Sequence, residues 1–105
     1  MENKILVKEV LFPKKATRID YFKAAVYRII TPGKIIFTEC DRRNATLDDP
    51  KLKAIIKKSV PGYNSALLRL EIESNVNQHI LDDTSLSVEK KIERISNSIR
   101  KYVVS

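Results

Sequence analysis

The chain has 105 residues, 43% hydrophobic and 31% charged, which is the balance of one globular domain with a single core. Two Gly and four Pro exclude a collagen-like or linker-rich chain, and a lone cysteine, Cys40, excludes an intramolecular disulfide and fits a reducing compartment. Twenty Lys and Arg against thirteen Asp and Glu leave a formal charge of +7, which directs attention to polyanions.

Charges interrupt every apolar run well short of the ~20 residues a membrane span requires. Near the N-terminus only Ile5, Leu6 and Val7 separate Lys4 from Lys8, too few for a secretory apolar region of ~7–15 residues. A cytoplasmic protein is therefore expected. Asn44-Ala45-Thr46 matches a glycosylation pattern, which without export is a chance match.

Lys4 to Phe12 is short, branched and apolar and ends at Pro13, which predicts a strand. Arg18 to Ile30 is ambiguous. Its Ile, Tyr, Phe and Val favour a strand, the preferred reading. The alternative is a crossover helix, with Ile19, Phe22, Val26 and Ile29 on one stripe and Thr17 with Asp20 as a capping box. Against it, Arg18, Asp20, Lys23 and Arg28 do not cluster on a helical wheel. Lys34 to Asp41 is a strand, and Thr31-Pro32-Gly33-Lys34 closes a hairpin to it if the preceding stretch is also a strand.

Asp49 to Ser59 is a helix, capped by Asp48 or Asp49 and opened by Pro50, with Leu52, Ile55, Ile56 and Ser59 inward; Val60-Pro61-Gly62 stops it. Tyr63 to Ser74 alternates Ala66, Leu68, Leu70 and Ile72 with Arg69, Glu71 and Glu73, the pattern of a strand with one buried face. Asn75 to Ser87 is a polar connection in which Ile80 and Leu81 tuck onto the core. Val88 to Val103 is a helix, with Val88, Ile92, Ile95, Ile99 and Tyr102 along one seam.

The expected fold is a single α+β domain over residues 1–105, β-β-β-α-β-α, with a mostly antiparallel four-stranded sheet and two helices on one face. The alternative, with a crossover helix at residues 18–30, is β-α-β-α-β-α.

Catalytic signals are weak. Cys40, on a strand rich in Ile and Phe, reads as a buried inert thiol, and His79, in a polar loop, as a solvated side chain. Glu39 with Asp41 and Glu71 with Glu73 share strand faces, but such pairs are the ordinary wet side of a strand. Zinc ligands do not cluster and no glycine-rich phosphate loop is present, so no metal or cofactor is expected.

Charge is distributed unevenly. Residues 1–62 hold fourteen Lys and Arg against seven Asp and Glu, whereas residues 63–105 hold six of each. In either topology the connection carrying Lys14, Lys15 and Arg18 lies at the same end of the sheet as Arg42 and Arg43. On helix 50–59, Lys51 and Lys58 occupy one flank of the apolar face, and Lys53 and Lys57 the other.

These features predict a small, non-catalytic nucleic-acid-binding protein, DNA and RNA not being distinguished, with Lys14, Lys15, Arg18, Arg42, Arg43, Lys51 and Lys58 contacting phosphates. A protein-interaction module is the first alternative. It would bind an acidic partner, or form a homodimer through Val88, Ile92, Ile95, Ile99 and Tyr102. The second is a small metal-independent ribonuclease using a tyrosine or His79.

Overall fold

A computed structural model describes residues 7–47, 50–60, 62–63 and 78–103. Strand β1 (Val7–Pro13), helix α1 (Arg18–Ile30) and strand β2 (Lys34–Cys40) form a β-α-β unit. A short 3-10 turn (Arg42–Asn44) and helices α2 (Pro50–Ser59), α3 (Gln78–Asp82) and α4 (Val88–Ile99) follow, with a last 3-10 turn at Arg100–Tyr102.

β1 and β2 are parallel, in register Val10 with Phe37. This corrects the expected antiparallel four-stranded sheet: the described sheet has two strands joined by α1, and residues 18–30 are helix, not strand. Consequently there is no hairpin at residues 31–34. Thr31 caps α1 by donating its N–H to the Tyr27 carbonyl, Pro32 cannot continue the helix, and Gly33 (φ 90°) takes the left-handed turn into β2. The strand expected at residues 63–74 lies outside the described residues beyond Tyr63, whose ring stacks on Phe22 at 5.5 Å.

Asp20 explains why α1 overrides its strand-forming composition. The Thr17 side chain accepts from the Asp20 N–H, and Asp20 Oδ2 accepts from the Thr17 N–H at 2.8 Å, completing the capping box. Asp20 is itself buried, so counting it as a water-seeking residue scrambles the helical wheel. Tyr21, Phe22, Ala24, Ala25, Val26 and Tyr27 are buried, while Ile19, assigned to the inner stripe by spacing, is exposed.

Val10, Phe12, Ile35 and Phe37 form the inner face of the sheet. The Phe12 ring meets Tyr21 of α1 at 5.1 Å and Phe37 edge-on at 6.1 Å. Among the described residues, α4 packs chiefly on α1. Ile92, Ile95 and Ile99 are fully buried, and Val88 and Tyr102 are half-buried against the core. Small residues Ala24, Ala25 and Ser96 let the two helices approach. The Ser96 hydroxyl donates to the Ile92 carbonyl at 2.7 Å and lies 3.4 Å from the Ala25 carbonyl. The start of α4 also reaches β2, where Glu89 Oε1 accepts the Phe37 N–H.

On α2, Ile56 is buried but Ile55 is 45% exposed, so the inner face is narrower than expected. Ile80 of α3 is buried and Leu81 half-buried, as the connection required. No helix among the described residues is long and apolar enough to cross a membrane.

Candidate nucleic-acid interface

In a parallel β-α-β unit both strands end on the same side, and the chain leaving each is delivered to one edge. Here the Lys14 N–H donates to the Cys40 carbonyl at 2.9 Å, carrying the ladder one step past Pro13. The turn holding Lys14 and Lys15 therefore lies against the end of β2, just before Arg42 and Arg43. The chain then doubles back beside β1. The Leu11 N–H donates to Thr46 Oγ1 at 2.9 Å and the Thr46 N–H to the Leu11 carbonyl at 3.0 Å, so Thr46 acts as a short surrogate strand.

Arg42 and Asp20 fasten this edge. Arg42 Nη2 lies 2.8 Å from Asp20 Oδ2, joining the turn after β2 to the first turn of α1. Burial alone would raise the Asp20 carboxyl, but hydrogen bonds from Arg42 and Thr17 together outweigh it and hold the group below the usual carboxylate value. The positive end of α1 is thus already supplied with a carboxylate from its own first turn.

Lys14, Lys15, Arg18 and Arg43 are exposed on this edge. Arg43 is 84% exposed and only loosely paired with Asp41, at 3.9 Å. Glu39 and Asp41 are also exposed here, so the edge is basic without being purely cationic. Of the five residues assigned to the edge by sequence, four present charge outward and the fifth, Arg42, is engaged in holding the edge together.

Of the α2 lysines, Lys51 lines a groove of about 380 Å³ beside β1, with Lys8, Val10, Tyr27, Thr46 and Ile55 among its walls. The Lys8 ammonium sits 5.4 Å over the Tyr27 ring. Lys8 precedes Lys14 by six residues, roughly 20 Å of strand. Lys58 is exposed, and no hydrogen bond or ion pair among the described residues links it to either loop.

Cys40 is half-buried at the strand end, not fully buried as expected, with its thiol 3.2 Å from the Asp41 carbonyl. His79 is exposed on α3. Burial, assisted by the charges of Glu39 and Asp20, pushes the Tyr21 phenol further up from its ordinary value. No group of three or more metal-ligating side chains occurs among the described residues; Glu71 and Glu73 lie outside them.

Two features of the edge escaped sequence reasoning. The Asp20–Arg42 pair had a signal in the Thr17–Asp20 capping box, which places a carboxylate at the helix start. The left-handed backbone of Lys15 (φ 54°) had none, because Pro13-Lys14-Lys15 contains neither Gly nor Asn.

No family model, curated protein or solved structure matches this chain.

Proposed function

We propose that the protein is a small, non-catalytic binder of nucleic-acid backbone that uses the carboxyl edge of β1 and β2. One observation carries the reading: the two loops bearing Lys14, Lys15, Arg18 and Arg43 are joined by the Lys14–Cys40 hydrogen bond and the Arg42–Asp20 pair. Exposed, loosely paired cations on a fixed edge suit phosphates along a polymer, whose contact displaces condensed counterions. They suit a single small phosphate less well, since the Asp20 carboxylate already serves the start of α1. Because phosphate contacts carry no base information, binding is expected to tolerate changes of sequence.

Titration of a labelled mixed-sequence duplex and of a labelled single-stranded RNA, repeated over a series of salt concentrations, tests the reading. Affinity that falls steeply with salt and is indifferent to sequence supports it. Absence of salt-sensitive binding to both probes overturns it and gives the edge to an acidic protein partner.

A further inference from the structure

We infer that Lys15 is the anchor of this edge, holding a backbone position that works against the fold while its ammonium contacts a nucleic-acid phosphate; the inference rests on the reading above. The chain has only two glycines, Gly33 and Gly62, and both occupy left-handed backbone, at φ 90° and φ 76°. The third left-handed position among the described residues is Lys15, at φ 54°. A residue with a Cβ is disfavoured there, and Gly or Asn is what such a turn accepts readily.

Nothing among the described residues accounts for the lysine. Its side chain is exposed and makes no hydrogen bond or ion pair among the described residues. A lysine serving only solubility has the same value at any exposed position, and most exposed positions carry no backbone penalty. At this turn, by contrast, the left-handed backbone places residue 15 at the tip between Lys14, tied to Cys40, and Arg18 at the start of α1. Exposed Lys14 precedes that tip and exposed Arg18 follows it. The strain is therefore placed where a binding contact would explain it.

The consequence is a split between stability and binding that neither a structural nor a solubilising lysine produces. Lys15→Gly should raise the melting temperature by about 4 °C, since glycine takes the left-handed turn freely. The same change should weaken binding to a labelled mixed-sequence duplex about eightfold near 0.1 M monovalent salt, and lower the magnitude of the log–log salt slope by about 0.9, the share of one phosphate contact. Lys15→Asn should behave like the glycine variant, whereas Lys15→Arg should keep the affinity. Lys90→Ala removes an exposed α4 cation paired at 3.5 Å with Glu93 and should leave binding unchanged. If Lys15→Gly binds as the wild type does, the anchor role is overturned and the basic-edge reading stands. If Lys15→Gly melts lower than wild type, the argument from backbone strain is overturned. If the wild type binds neither duplex nor single strand in a salt-sensitive way, both fail together.

Discussion

Arg42→Ala isolates the fastening of the edge. In the folded protein the Asp20 side chain is 5% exposed and the Arg42 side chain 50%, with 2.8 Å between Nη2 and Oδ2. A hydrogen bond to a charged group contributes about 1.5–3 kcal/mol, and loss of one partner of a fully buried pair costs about 3–5 kcal/mol. Arg42 is half in water, so solvent replaces part of what is lost, and Thr17 still donates to the carboxylate from its backbone N–H and its hydroxyl. The expected loss is therefore about 1–2 kcal/mol, or about 5–10 °C in melting temperature for a domain of this size.

The pH dependence gives the sharper readout. The Asp20 carboxyl is lowered in the folded state, so its contribution to stability is complete above its unfolded value, near pH 4. That contribution fades as pH falls through the lower folded value. Without Arg42, burial is opposed only by Thr17, and the folded value rises. Thermal melts followed by circular dichroism from about pH 3 to 7 should then show Arg42→Ala losing less on acidification than wild type, with the two curves converging at low pH. A double-mutant cycle with Asp20→Asn should give a coupling energy of about 1 kcal/mol or more. Identical melts and parallel pH curves would show that the pair does not hold the edge.

Ile95 is fully buried where α4 meets α1, so Ile95→Asp should abolish folding, read by loss of helical circular dichroism. A folded variant that sediments as a monomer where wild type is a dimer would instead support self-association through the α4 seam. Ile56→Ala should cost about 2–5 kcal/mol by denaturant titration, whereas the adjacent Ile55→Ala should cost well under 1 kcal/mol, because only Ile56 is buried. Equal losses would contradict the orientation given for α2.

The edge was legible in the sequence because it did not depend on the ambiguous stretch. Whether residues 18–30 are strand or helix, loops 13–18 and 42–46 emerge at one end of the sheet. The parallel pairing was less accessible, since it turns on a helix whose composition favours a strand and whose capping acid is buried, not solvated. Ile55 and Ile56 illustrate a second limit: adjacent apolar residues share a helical stripe, and only packing decides which turns inward. The groove that Lys51 lines with Lys8 and Thr46 is a third case. Flank and charge can be read from spacing, but which neighbours Lys51 meets depends on Thr46 pairing back onto β1, which spacing does not show.

If the cations of this edge contact phosphates, the Lys14→Ala/Arg43→Ala double variant has a shallower salt slope than wild type. Neither side chain fastens the fold: Lys14 contributes its backbone N–H to the ladder, and Arg43 is 84% exposed. With a labelled duplex, the variant should melt within a few degrees of wild type and lose affinity for every sequence tested. The magnitude of its log–log slope should fall by about 1.8, two phosphate contacts' worth. A folded variant with the wild-type slope would contradict the assignment of this edge to nucleic-acid phosphates.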